Sequence, residues 1–207
     1  MEISLLTDVG QKRTNNQDYA NHFVNRAGKT MIILADGMGG HRAGNIASEM
    51  AVTDLGAAWV NTQIDSVNQV REWFAEHLEE ENRRIHQFGQ DEEYKGMGTT
   101  LEALAIIDNQ AIYAHIGDSR ISLIRGEEYS QLTSDHSLVN ALLKAGQITQ
   151  EEAERHPQKN IITQSIGQKD EVQPDYGMVT LKDGDYILLS SDGLTNMISG
   201  SEIYDIV

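Results

Sequence analysis

The stretch "TTLEALAIIDNQAIYAHIGDSRISLIR", Thr99–Arg125, contains three apolar, partly β-branched runs divided by two short polar connections. Such runs, bounded by Gly, Asp or Asn, read as strands. The connections "DN" at Asp108 and Asn109 and "GDSR" from Gly117 to Arg120 are short enough to close hairpins, which predicts antiparallel sheet. The same signature appears on either side, at Thr30 to Ala35 and at Tyr186 to Ser190.

Between the first and second of these regions the period changes. Ile46, Ala47, Met50, Ala51, Leu55, Ala58 and Trp59 share one helical face, with Asn45 as the expected cap. A second helix is expected from about Ser66, with Val67, Val70, Phe74, Leu78, Ile85 and Phe88 on its apolar side and "EHLEEENRR" on its solvated one. Both stripes read as core. Two adjacent helices inside a series of antiparallel strands indicate an α+β layered domain, not alternating βαβ units. From Leu138 to Asn160 a polar, partly helical insertion interrupts the strands. It reads as a surface excursion, with a mobile flap over a site and an inert helical loop both left open.

The composition, 39% hydrophobic and 23% charged with two prolines, is that of an ordinary folded chain, and 207 residues suit a single domain with its own core. Acids outnumber bases 32 to 16, for a formal charge of -16, so the average field repels nucleic acid and anionic membranes. A phosphate-bearing substrate would be repelled too, unless cations or a local arginine reverse the sign of the field at the site. The absence of cysteine excludes a thiolate nucleophile, a thiolate metal site and disulfides. No signal-peptide pattern or membrane-length apolar run is present, so the expectation is a soluble cytoplasmic monomer without nucleic-acid or membrane partners.

Three apolar runs end in an aspartate beside a glycine: "ILADG" at Asp36, "YAHIGDSR" at Asp118 and "YILLSSDG" at Asp192. One such ending is an ordinary turn. If the three converge, their carboxylates repel one another unless divalent cations intervene, and all-oxygen ligation suits Mg²⁺ or Mn²⁺ better than zinc. Gly37 would then let its carbonyl approach a metal. Upstream, "VGQKRTNNQDY" carries Arg13 five residues before Asp18, where a guanidinium could grip a phosphate.

The ordered set "RTNNQD", "ILADGMGGH", "MGTT", "GDSR", "LTSDHS", "ITQSIG" and "LLSSDGL" resembles the metal-dependent protein serine/threonine phosphatases of the PPM or PP2C type, in their compact bacterial form. It extends from Val9 to Leu194. The resemblance implies a four-layer αββα sandwich with two central antiparallel β-sheets and a helical flap insertion. It implies two to three Mn²⁺ or Mg²⁺ ions: Asp36 bridging two, Gly37 giving its carbonyl to one of them, Asp192 binding the other, Asp18 acting through water, and Asp118 joining Asp192 at a third, weaker one. It makes Arg13 the phosphate-holding residue and His41 the general acid. Hydrolysis would proceed through a water shared by the ions, without a covalent phosphoenzyme, on phosphoserine and phosphothreonine in proteins and in opposition to a bacterial Ser/Thr kinase.

Other motif residues read as structural. Thr99 and Thr100 are expected as hydroxyls bonded within the sheet, Ser119 and Arg120 as a turn fixing Asp118, His136 as a packed or capping histidine, and Asp135 as a turn residue or a support for the site. The chain stops at "SEIYDIV", before the "DNxT" stretch that completes the second metal site in the family. Asp205 is expected on a helix and not as a substitute, and the expectation is that the sequence belongs to a longer protein. The alternative function is a non-catalytic phosphoprotein-binding module with the same fold. An unrelated metal hydrolase acting on nucleotides or sugar phosphates is the third reading.

Overall fold

The computed structural model describes residues 1–207 apart from Lys12, Gly40, His41 and Arg42. Strand β2 (Thr30–Met38) shows how the pattern becomes layers. Side chains alternate across a strand, so Met31, Ile33 and Ala35 are fully buried against the helices while Ile32 faces a second apolar cluster. Strands β1 (Asp18–Val24) and β4 (Leu101–Ile107) flank β2 antiparallel, and β5 (Gln110–Ile116) and β8 (Asp175–Thr180) complete the order β1-β2-β4-β5-β8. The short β3 (Gly98–Thr99) pairs with the end of β2.

A second antiparallel sheet has the order β7-β6-β9, built from β6 (Arg120–Arg125), β7 (Glu128–Gln131) and β9 (Tyr186–Ser190). Leu104, Ala111 and Ile121, with Ile187 and Leu189 beside them, form the cluster between the sheets. Each large side chain withdrawn from water contributes roughly 1.5–3 kcal/mol.

Helices α1 (Ala43–Val60) and α2 (Val67–Phe88) cover the first sheet. Gly56 lets α1 settle on β1, since a Cβ there would fall 2.1 Å from the ring of Phe23. Trp59 and Trp73 join the two helices edge to face at 5.5 Å. Ser66 begins α2 as expected, its N–H donating to Gln69 Oε1 at 3.2 Å. Asn45 is not a cap: α1 already includes Ala43, so Asn45 sits in the first turn.

The insertion holds α3 (Leu138–Lys144) and α4 (Gln150–Glu154). Its root is closed by a bridge between Ser137 and Ile162. Past β9 come α5 (Asp192–Thr195) and α6 (Gly200–Ile206). Register places Tyr129, Ile124 and Tyr186 on the outer face of the second sheet, and α6 lies there with Gly200 against the Tyr129 ring, as a thin fourth layer. Among the described residues no helix is long and apolar enough to cross a membrane.

The "DN" connection is a hairpin, with Asp108 at φ 54 between the paired β4 and β5. The "GDSR" connection is not. β5 and β6 belong to different sheets, and Gly117, at φ 113, turns the chain from one to the other. A corner between packed sheets needs the same short, glycine-bearing polar turn as a hairpin, so local sequence does not separate the two.

Candidate active site

The strand ends that terminate in aspartate meet at one end of the sandwich. Asp18 opens β1 directly across the ladder from Asp36 near the end of β2. On the second sheet Arg120 pairs with Ser190, which brings the preceding Asp118 and the following Asp192 to the same edge. All four carboxylates interact: burial first, then the charges of Asp18, Asp192 and Asp118, push Asp36 up to about 8. Asp118 is pushed up to about 6, again by burial first and then by Asp192 and Asp135. Asp192 is raised by burial and by Asp18, with Arg13 and Arg120 acting in the opposite direction. Without a counter-cation this cluster cannot be fully ionised at neutral pH.

Asp36 is held by its own backbone. Its N–H donates to Thr100 Oγ1 at 3.0 Å, and its carbonyl accepts from Thr99 Oγ1 at 3.0 Å and from Thr100 N at 2.9 Å. Thr100 Oγ1 also lies 2.9 Å from the buried Ser119 Oγ, which ties the Asp36 strand to the Asp118 corner. The hydroxyls expected to bond within the sheet therefore bond at the aspartate itself. Thr100→Val is expected to orphan the Asp36 amide and destabilise the fold by about 1–3 kcal/mol, whereas Thr100→Ser should stay near wild type. Thermal unfolding checks this, and equal melting of Thr100→Val and wild type would remove the role given to the hydroxyl.

Gly37 is bound on the other side, its N–H donating to Gln17 O at 2.9 Å, an oxygen that also accepts from Ser48 Oγ at 2.7 Å. It faces Gly44 at the start of α1, and a Cβ on Gly37 would lie 1.9 Å from Gly44 O. Asp18 accepts from Ser191 Oγ at 2.7 Å, and Asp192 accepts from Asn196 Nδ2 at 2.9 Å. Gln17 and Ser191 lie within the stretches "RTNNQD" and "LLSSDGL" but carry no role that the sequence assigns. Their only signal was adjacency to Asp18 and Asp192.

Asp135 is a structural anchor. Arg120 grips it with two hydrogen bonds, Nε to Oδ1 at 2.9 Å and an η-nitrogen to Oδ2 at 2.6 Å. Behind the corner, Glu102 and His115 meet fully buried across the β4–β5 ladder, with Oε1 and Nδ1 2.6 Å apart. Burial drives Glu102 well up and, ahead of the neighbouring His136, drives His115 down to about 4. The pair is therefore neutral: the Glu102 carboxyl donates to Nδ1, and Nε2–H donates to Ser134 O at 3.2 Å. The sequence did carry a sign of this pair, a single acid and a single histidine inside otherwise apolar strands.

Arg13 is exposed and close enough to Asp192 for its charge to be felt there. His41 lies outside the described residues. Asp205 is on α6, in a groove with Ile124, Gly126 and Tyr186 at the opposite end of the second sheet from Asp118 and Asp192. Among the described residues no three His, Cys, Asp or Glu side chains form a ready cage for one ion. Ligation here would therefore combine few carboxylates with backbone oxygen and water, the habit of Mg²⁺ and Mn²⁺ rather than of zinc. The oxygen-only donor set and the repulsion within it both fit such ions.

Comparison with known proteins gives the same answer. The profile of the family described as Protein phosphatase 2C matches residues 9–205. The chain is 85% identical over 207 residues to Protein phosphatase PhpP of Streptococcus pneumoniae serotype 2 (strain D39), covering all of this chain and 84% of that protein. It is 40% identical over 209 residues to Serine/threonine phosphatase stp of Listeria monocytogenes serovar 1/2a, covering 83% of that protein. The structure of the S. agalactiae serine/threonine phosphatase superposes with a TM-score of 0.98 at 60% identity, over 99% of this chain and 85% of that one. With aspartate-bearing strand ends, layered sheets and family profile in agreement, the chain belongs to the protein phosphatase 2C family and is a PP2C-type protein phosphatase.

Proposed function

We propose that this phosphatase hydrolyses phosphoserine and phosphothreonine in proteins in a reaction dependent on Mn²⁺ or Mg²⁺, that residues 1–207 act as one domain, and that its activity opposes a Ser/Thr kinase of the same cell. The observation that carries this reading is the convergence of Asp18, Asp36, Asp118 and Asp192, with burial and mutual repulsion pushing Asp36 to about 8. The Listeria and S. agalactiae relatives, both serine/threonine phosphatases by name, support the choice of serine and threonine esters.

Asp36, the Gly37 carbonyl and Asp192 would hold two ions, with Asp18 beside Asp36, and Asp118 would join Asp192 at a third. Bound there, the ions supply positive charge against the phosphate dianion and a water acidic enough to serve as nucleophile. Arg13, beside Asp192, offers two parallel hydrogen bonds to phosphate oxygens and adds positive charge where the chain is otherwise acidic. His41 is the proposed proton donor to the leaving alkoxide, a role that contributes about 10²- to 10⁴-fold. With no cysteine in the chain, a cysteinyl phosphoenzyme is excluded.

The test is metal removal. Chelation is expected to abolish release of phosphate from a phosphothreonine peptide, and Mn²⁺ to restore it while raising the melting temperature, since a ligand that binds only the folded state stabilises it. Hydrolysis that persists in the chelated protein would refute metal dependence. Stable peptide binding without phosphate release in Mn²⁺ would instead indicate a binding module.

A further inference from the structure

His136, from the "LTSDHS" stretch, has no part in the chemistry above, yet it holds the residue directly before Asp118. Its backbone N–H donates to Gly117 O at 2.7 Å. Its ring Nδ1 accepts from Gly117 N at 3.2 Å. One residue thus satisfies both polar groups of Gly117, the glycine at φ 113 that turns the chain between sheets. On the opposite side Gly117 rests on Thr100, where a Cβ would fall 2.5 Å from Thr100 Cγ2. The approach to Asp118 is therefore fixed between His136 and the threonine that holds Asp36.

The ring itself is oriented. Because the Gly117 amide gives its proton, Nδ1 is the unprotonated nitrogen and the proton sits on Nε2. Nε2 lies 3.2 Å from Asp175 Oδ2 on β8. The buried His115 ring packs beside it, with centroids 4.6 Å apart. Carboxylate, imidazole and amide form a chain in which Asp175 selects the tautomer able to accept from Gly117. Groups that orient metal ligands in this way commonly weaken metal affinity by about 10- to 100-fold when removed.

We infer that His136, oriented by Asp175, is the positioning residue for Asp118 and so sets the affinity of the weakest cation step. This rests on the reading of Asp118 as a metal ligand. The Asp175 hydrogen bond is part of the inference because the other tautomer would present an N–H to the Gly117 N–H.

The test titrates Mn²⁺ into the metal-free protein by calorimetry, alongside the Mn²⁺ dependence of phosphothreonine-peptide hydrolysis. His136→Leu, which has no acceptor, is expected to weaken the loosest Mn²⁺ step about 10-fold, with kcat at saturating Mn²⁺ within about threefold of wild type and the peptide KM unchanged. His136→Asn, whose Oδ1 can take the place of Nδ1, should stay within about threefold in affinity, and Asp175→Ala should fall between the two. Unshifted Mn²⁺ affinity in His136→Leu, or equal loss in His136→Leu and His136→Asn, would overturn the inference. If His136→Leu does not fold, Asp175→Ala decides alone: a weakened Mn²⁺ step supports the inference and an unchanged one overturns it. Asp118→Asn separates the two levels. Intact binding of the loosest Mn²⁺ in that variant would refute Asp118 as a ligand, whereas its loss there beside normal binding in the His136 variants would refute only the positioning role.

Discussion

Asp36→Asn is expected to reduce phosphopeptide hydrolysis by at least about 10³-fold, the scale on which loss of a central electrostatic group acts, and at the same time to make the metal-free protein harder to melt. The two effects have one cause. Burial and the charges of Asp18, Asp192 and Asp118 hold Asp36 at about 8 in the folded chain, far above its ordinary 3.8. Between about pH 4 and about 8 the folded state therefore keeps a proton that the unfolded state has released, and the metal-free protein loses stability as pH rises through that window. Asp118, raised to about 6, adds a slope of the same sign. An asparagine at position 36 removes the largest part of this penalty along with a ligand oxygen. Thermal unfolding at pH 5.5 and 8.0 with chelator checks it: wild type should lose more melting temperature between the two values than Asp36→Asn, and Mn²⁺ should reverse the loss in wild type alone. Parallel slopes for the two proteins would mean that Asp36 is not the strained group.

Gly37→Ala should be nearly as damaging, for a steric reason. The added carbon would lie 1.9 Å from Gly44 O, 2.4 Å from Gly44 C and 2.9 Å from Gln17 O. All three atoms are backbone, so no side chain can swing aside. The approach is as close from the Gly44 side, where a Cβ would stand 2.8 Å from Gly37 O. Relief requires moving the start of α1 away from the end of β2. Overpacking of this kind destabilises by about 1–3 kcal/mol or somewhat more, which in a domain of this size lowers the melting temperature by about 2–4 °C per kcal/mol. Because the shift moves the Gly37 carbonyl and the adjoining Asp36, activity is expected to fall by at least about 100-fold, a loss that small misplacements of reacting groups can produce. Melting and turnover measured together check this. A variant that melts early but turns over normally in excess Mn²⁺ would show that the Gly37 carbonyl is not needed.

Several elements were legible in the sequence because their signals are local. The apolar, partly β-branched runs at Thr30–Ala35 and Thr99–Ile107, bounded by turn residues, read as strands, and the stripes through Trp59 and Phe74 required helices with one buried face. Asp36, Asp118 and Asp192 stood out since an acid closing an apolar run is itself a local feature. The resemblance to a phosphatase family carried the roles of Arg13, Asp18 and His41, which spacing alone left open.

What the sequence determined by itself, then, was the strands β2, β4, β5, β6 and β9, the two long helices and the three aspartates that end apolar runs, because periodicity and turn chemistry are properties of neighbouring residues. Tertiary structure alone decided that Gly117 turns between sheets instead of closing a hairpin, that Glu102 meets His115 as a neutral pair, and that His136 grips the approach to Asp118. Each of these depends on a partner brought close by sheet pairing or packing, and the distance between such partners is set by the fold, not by their separation along the chain.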